Sequence, residues 1–244
     1  MMLVDVHCHL ELFGPEAESV VKMAMGAGVK AIITAGISPE SNRKALGFAR
    51  QFPVVKAALG IYPINELSGA AIEEELKFIE ANKKLISAVG EIGLDGKEGK
   101  SELQKPLFEK LLSLAQRIGK PAIVHSRQAE SDVLEIISKH KCNVVLHAFH
   151  GSISLVKKAV EMGCYFSIPA NVVRSDHFQR LVKEVPLSQL LTETDAPFLA
   201  PERENRSEPS MVALSVVKIA ELKGLSADDA ANIIFSNYQR LFSR

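Results

Sequence analysis

The feature that most restricts the fold of this chain is an alternation. Eight short apolar runs rich in β-branched residues recur along it, at Leu3–Val6, Lys30–Thr34, Val54–Leu59, Ile86–Val89, Ala122–Val124, Asn143–Leu146, Cys164–Ile168 and Gln189–Leu191, with amphipathic stretches between them. Strand, helix, strand in repetition demands parallel pairing through right-handed crossovers. The runs do not alternate with polar residues, so the sheet they build is covered on both faces. Eight such units predict closure into an α/β structure, a distorted (β/α)8 TIM barrel with extra C-terminal helices. The chain has 244 residues, and one such barrel takes about 250, so a single domain over 1–244 is predicted.

The predicted helices fall at 16–27, 39–50, 70–82, 101–118, 129–140, 152–162 and 176–184. In the sixth, Ile153, Val156, Val160 and Met162 roughly hold one face, and Lys157, Lys158 and Glu161 hold the other. Gly28, Gly119 and Gly163 each follow a helix and precede a strand, where a left-handed cap is wanted. Beyond the last strand, 207–244 reads as helices only. Ser210–Lys223 is apolar at helical spacing, and Ser226 is placed to cap a final helix with Asp228 and Asp229 in its first turn. Pro201–Pro209 reads as a polar loop.

Basic and acidic residues balance at 29 each. That removes any global attraction to nucleic acid or an anionic membrane, though not a local basic patch. The three cysteines, Cys8, Cys142 and Cys164, show no paired spacing, which argues against a disulfide framework and fits a reducing compartment. The N-terminus lacks the basic and apolar regions of a signal peptide, and no apolar run reaches the roughly 18 residues of a membrane span. A soluble, cytoplasmic protein is expected, and no protein partner is indicated.

The titratable residues sit at one end of this frame. His7 and His9 are two apart at the end of the first strand, so their imidazoles point the same way. Glu91 ends the fourth strand, His125 the fifth and His147 the sixth, and Asp195 follows the eighth. In an α/β barrel the C-terminal strand ends converge on one mouth, where active sites lie. A single histidine at a strand end is ordinarily just a satisfied polar residue. Five strands each offering a ligand-type residue at the same end is a different matter. Four imidazoles and two carboxylates suit a pair of divalent ions bridged by a carboxylate. The ions are left open among Zn, Mn and Mg, with the histidines favouring Zn or Mn.

With those residues in place, the chain resembles the TatD family of metal-dependent deoxyribonucleases, within the amidohydrolase-like barrels. DVHCHL, GEIGLD, PAIVHSR, LHAFHG and TETDAPFL look like the family's signatures in order, and ENRSEPSMV and NYQRLF resemble further family elements. The resemblance implies one metal held by His7, His9, Glu91 and Asp195 and a second held by Glu91, His125 and His147. Glu91 would then be the bridge, and Asp195 would orient or deprotonate the attacking water. It implies hydrolysis of DNA phosphodiester bonds, with Asp195 and Glu91 as catalytic residues.

The rim departs from the family pattern. Tyr62 stands in Gly60-Ile61-Tyr62-Pro63 where the family often has GIHP. Gly96 follows GEIGLD in place of an aromatic residue, Gln128 follows HSR, His150 replaces a small hydroxyl residue, and RNEP becomes Arg206-Ser207-Glu208-Pro209. Arg127, Tyr62, His150 and Arg206 are the candidate substrate-binding residues, the guanidinium groups because they fork onto phosphate oxygens. Arg174 is a weaker candidate. Glu193 and Asp5 are candidate acceptors for imidazole N–H groups. Cys8 should face the core, and His140 and His177 lie in polar helical stretches with no role assigned. With no Trp and three Tyr, few stacking partners exist, and Tyr62 and Phe149 are the nearest. The substrate is expected to be DNA or a small phosphoester. The alternatives are a small-molecule ester, amide or phosphoester hydrolase on the same dinuclear site, separable by a closed pocket in place of an Arg- and Lys-edged groove, and a non-catalytic binding protein, separable by metal content.

Overall fold

The computed structural model describes residues 1–97, 101–203 and 205–243. Each predicted apolar run becomes a strand: β1 (Leu3–Cys8), β2 (Val29–Ala35), β3 (Val55–Leu59), β4 (Ile86–Gly93), β5 (Ala122–His125), β6 (Val144–His147), β7 (Tyr165–Ile168) and β8 (Leu190–Thr192). They form one sheet in sequence order, and every adjacent pair is parallel. Every residue of β1 is buried, as a strand covered on both faces requires. The crossovers are α1 (Ala17–Gly26), α2 (Pro39–Gln51), α3 (Gly69–Ala81), α4 (Ser101–Ile118), α5 (Glu130–Ile137), α6 (Ile153–Glu161) and α7 (Asp176–Glu184), with α8 (Val212–Lys223) and α9 (Ala227–Phe242) after the last strand. Gly28, Gly119 and Gly163 take φ of 95°, 69° and 77°, and Ser226 caps α9 by accepting from the Asp229 N–H at 3.1 Å.

The barrel is nearly closed, and its seam is where it is distorted. β8 meets β1 through a few bonds in place of a ladder. Thr192 Oγ1 donates to the Val4 carbonyl at 2.6 Å, Asp195 N–H donates to the His7 carbonyl at 2.9 Å, and His9 N–H donates to the Ala196 carbonyl at 2.8 Å. The extra helices α8 and α9 pack over this seam against both strands. The seam bonds also set function, because they draw Asp195 alongside His7 and His9.

Register irregularities occur in β1 between Asp5 and Cys8 and in β4 between Val89 and Ile92. These intervals contain His7 and Glu91. An irregular step in a strand re-aims a side chain, and both fall where a ligand-type residue must turn into the mouth. Several short 3-10 segments were not foreseen, among them Leu10–Glu16, broken by a kink at Gly14, directly after His9.

Candidate metal centre

All six predicted ligand residues meet at the mouth. His7, His9, Glu91 and His147 are buried, and the Asp195 and His125 side chains are 13% and 12% exposed. Glu91 stands at the centre, and its two oxygens face different imidazole pairs. Oε2 lies 3.4 Å from His7 Nε2 and 3.4 Å from His9 Nε2. Oε1 lies 2.9 Å from His125 Nδ1 and 3.4 Å from His147 Nε2. Asp195 Oδ1 completes the first group, 3.4 Å from His7 Nε2 and 3.5 Å from His9 Nε2. His125 Nδ1 and His147 Nε2 are 3.4 Å apart.

Most of these separations exceed a normal N–H···O bond of about 2.9 Å. Nitrogen and oxygen ligands about 2.1 Å from a common centre at tetrahedral angles stand about 3.4 Å apart, so the donor set fits cations. The unpaired atoms agree. Both ring nitrogens of His7 and Nδ1 of His147 are buried without a hydrogen-bond partner, a state that costs about 1–3 kcal/mol for each group left bare. His7, His9 and Asp195 form one group able to hold a metal ion, and Glu91, His125 and His147 form another. A third grouping, His7 with His147 and Glu193, is also close enough. However, the Glu193 oxygens already accept from the Ala148 N–H at 2.8 Å and the Ser167 hydroxyl at 2.5 Å, so that carboxylate acts as a support.

Hydrogen bonds behind the imidazoles fix which nitrogen faces inward. His9 Nδ1–H donates to the Ala35 carbonyl at 3.0 Å, which turns the Nε2 lone pair toward Glu91 and Asp195. His125 Nε2–H donates to Asp95 Oδ2 at 3.1 Å, which leaves Nδ1 for the Glu91 side. His147 Nδ1 lies 3.4 Å from Glu193 Oε2, a charge contact without a hydrogen bond. Asp5 behaves differently. It accepts from the His7 and Thr194 backbone N–H groups and from the Thr194 hydroxyl, and so ties β1 to the chain after β8 without touching an imidazole.

The proton affinities follow this arrangement. Burial alone would raise the Glu91 carboxyl, but the surrounding imidazoles of His125, His147, His7 and His9 outweigh it and hold Glu91 well below the usual range. Asp195 is likewise raised by burial and then pulled below its ordinary value by His7 and His9. Burial disfavours charge on His9 and His147, yet Asp195 and Glu91 on the first, and Glu193 and Glu91 on the second, raise both imidazoles well above normal.

Backbone conformation marks the same place. Asp195, Ala148 and Gln128 have φ of 52°, 40° and 53°. They lie at or just after the ends of β8, β6 and β5, and non-glycine residues in this region cost about 1–3 kcal/mol each and cluster at functional sites.

The candidate substrate residues divide. Arg127 lines the mouth, is exposed, and its side chain makes no hydrogen bond or ion pair among the described residues. His150 lines the mouth with Nδ1 bonded to the Ala148 carbonyl at 2.7 Å, and it stacks on His177 with ring centroids 5.3 Å apart. His177, with no role assigned from the sequence, thereby backs the His150 ring from behind the lining. Tyr62 also lines the mouth, but its hydroxyl turns inward, donating to Asp95 Oδ2 at 3.0 Å and lying 3.2 Å from His125 Nε2. A hydroxyl has one proton, so it is committed to Asp95 and not to a phosphate. Arg206 lies outside the lining, bonded to Glu16 at 2.5 Å and Glu208 at 3.2 Å. Two carboxylates neutralise it, which removes the reason for assigning it to substrate. Arg174 bonds the Ala200 and Pro201 carbonyls. Phe149 is buried against Phe166 and offers no stacking face. Glu204, first residue of the ENRSEPSMV stretch, lies outside the described residues.

Asp95 is the residue that sequence reasoning missed. It is buried, its Oδ1 accepts from the Lys97 N–H at 2.9 Å, and its backbone is clamped by the Gln104 amide at 2.7 and 3.0 Å. The hydrogen bond from His125 leads in holding its carboxyl down at about 2. Its position at the end of GEIGLD, past Glu91 and just beyond the strand, was the available signal.

Fold and mouth together define a metal-dependent hydrolase on an α/β barrel, with His, Asp and Glu clusters able to bind metal. The chain belongs to the TatD related DNase family, which it matches over residues 4–243. It is 31% identical to the human deoxyribonuclease TATDN3 over 260 residues, covering 99% of this chain and 95% of that one. It is 32% identical to an uncharacterized metal-dependent hydrolase of Methanocaldococcus jannaschii, covering 99% and 97%. The crystal structure of YJJV, a TatD homolog from Escherichia coli K12, superposes with a TM-score of 0.91 at 28% identity, covering 99% and 98%. Among the described residues no helix is long and apolar enough to cross a membrane.

Proposed function

We propose that this protein hydrolyses DNA phosphodiester bonds with two divalent ions. His7, His9, Asp195 and Glu91 Oε2 would hold one, and His125, His147 and Glu91 Oε1 the other. The observation that carries this reading is the division of the Glu91 carboxylate between two imidazole pairs. Bound there, divalent ions supply a water acidified toward neutral pH and neutralise charge on phosphoryl oxygens.

The side chains provide the rest. Asp195 stays unprotonated under its neighbouring imidazoles and sits at the mouth with an oxygen available to orient the attacking water and accept its proton. Glu91, held ionised, fixes the spacing of the two groups. Asp95 holds His125 in a single orientation by a hydrogen bond, and Glu193 stands beside His147 as a neighbouring negative charge. Arg127 offers a guanidinium to a phosphate oxygen.

A second reading, a hydrolase of small phosphoesters on the same site, draws on the mouth itself. The cavity is about 820 Å³, and Arg127 is the one cationic Lys or Arg side chain among its described lining residues. Long polyanionic tracks are ordinarily lined by several. Purified protein reconstituted with Mn²⁺ or Zn²⁺ and assayed on single-stranded DNA beside bis(p-nitrophenyl) phosphate separates the two readings. Cleavage of DNA that is lost with EDTA and in Asp195→Asn supports the first, and cleavage of the small ester alone supports the second.

A further inference from the structure

The two walls of the mouth differ in kind. Arg127, Gln128, Glu130 and His150 form the polar one. The lining that follows β1 and β8 carries apolar side chains, and two of them, Phe198 and Leu12, are 54% and 48% exposed. Exposed apolar surface beside a cluster of ligand-type residues needs a reason, because water covers it at a cost until something apolar replaces that water.

Phe198 is also fixed in place. Its N–H donates to the Asp195 carbonyl at 2.7 Å, and the next residue, Leu199, has φ of 49°. The ring stands edge-on to His9, with centroids 6.2 Å apart and planes at 68°. A flat apolar face is therefore carried on the same tight turn as Asp195, beside the first imidazole pair. Arg127 lines the same cavity, its side chain without a partner among the described residues.

We propose that Phe198, backed by Leu12, is a stacking platform for the nucleobase of the nucleotide whose phosphate lies at the metal groups, and so selects nucleotide phosphoesters over other phosphoesters. This rests on the phosphoester hydrolase reading above. The argument for a base is chemical. The ligand must join an anion, for Arg127 and the cation-binding groups, to an uncharged planar group within the same cavity. Base–aromatic stacking requires a free π-face and no hydrogen-bond code, and Phe198 offers such a face with no polar atom. Tyr62 and Phe149, the stacking partners expected from the sequence, do not supply this face, because Tyr62 commits its hydroxyl to Asp95 and Phe149 is buried.

The test compares wild type with Phe198→Ala, Phe198→Leu and Phe198→Tyr on two single strands of equal length, oligodeoxythymidylate and its abasic tetrahydrofuran analogue. Phe198→Leu keeps apolar bulk on the Asp195 turn and guards against a collapsed loop. The platform predicts that Ala and Leu lower kcat/KM on the base-bearing strand about 5- to 150-fold, mainly through KM. Tyr should restore it, and the abasic strand should change less than about twofold. Equal losses on both strands, or no loss on either, overturn the proposal. Titration of 2-aminopurine deoxyriboside monophosphate, which has no diester bond to cleave, with Zn²⁺ bound reads stacking without diester turnover. Wild type should quench its fluorescence and Phe198→Leu should not, and absence of quenching by wild type overturns the platform. Quenching by a protein that cleaves neither strand with Mn²⁺ or Zn²⁺ overturns the hydrolase reading and leaves the platform standing.

Discussion

Replacing Asp95 with Asn tests whether the unforeseen carboxylate sets the metal affinity of His125. Asp95 Oδ2 accepts from both His125 Nε2–H and the Tyr62 hydroxyl, and Oδ1 accepts from the Lys97 N–H. An amide of the same shape has one acceptor oxygen and one donor nitrogen. If its oxygen faces His125, the NH2 meets the Lys97 N–H. If it flips, the NH2 meets His125 Nε2–H. Either way a donor faces a donor, and the charged acceptor is gone. A hydrogen bond to a charged group contributes about 1.5–3 kcal/mol, and a lost support behind a metal-bound histidine typically costs about 10- to 100-fold in affinity or activity. The two estimates agree, since a tenfold change is about 1.4 kcal/mol. We therefore expect Asp95→Asn to weaken the weaker of two Mn²⁺ binding steps by about 10- to 100-fold in chelator competition. The other step and the far-ultraviolet circular dichroism should be little changed. Binding within about twofold of wild type at both steps would refute a positioning role for Asp95.

Further outcomes follow from the same geometry. In the metal-free protein His9 and His147 hold protons above their ordinary value, so their stabilisation is full below about pH 6.5 and lost as pH rises through the raised values. Glu91 and Asp195 are depressed, so theirs is present above the usual carboxylate range and lost as pH falls through the lowered values. Metal binding at pH 7 should then release protons and tighten as pH rises, measured by calorimetry in buffers of different ionisation enthalpy; an enthalpy independent of buffer would contradict this. Arg127→Ala should raise KM for a phosphodiester about 10- to 100-fold, while Arg206→Ala, whose side chain is committed to Glu16 and Glu208, should leave kcat/KM within about twofold in the same steady-state assay. Gly93→Ala should destabilise the fold by about 2–4 kcal/mol in urea titration, because Gly93 has φ of 145° and an added Cβ would run into the His125 carbonyl.

Much of this was legible before the structure. Apolar runs such as Leu3–Val6 and Ile86–Val89 marked every strand within a few residues, because a parallel sheet buried on both faces writes its pattern locally. The six inward residues were legible for a related reason: strand ends converge in a barrel, so position along the chain stands for position at the mouth. What could not be read depended on side-chain direction. Tyr62 and Phe198 are both aromatic residues after strand ends, yet one hydroxyl finds Asp95 while the other ring stays exposed. Arg206 and Arg127 are both loop arginines, and contacts with Glu208 and with Glu16, the latter distant in sequence, distinguish them. Asp95 was missed because a carboxylate past the strand end carries no periodic signal, and its role appears only where Gln104 clamps its backbone.

The central claim is that one carboxylate, Glu91, serves two cations. Anomalous diffraction from crystals soaked in Mn²⁺ tests it most directly. The account predicts two peaks on either side of the Glu91 carboxylate, one among His7, His9 and Asp195 and the other between His125 and His147. A single peak, or peaks that Glu91 does not separate, would contradict it.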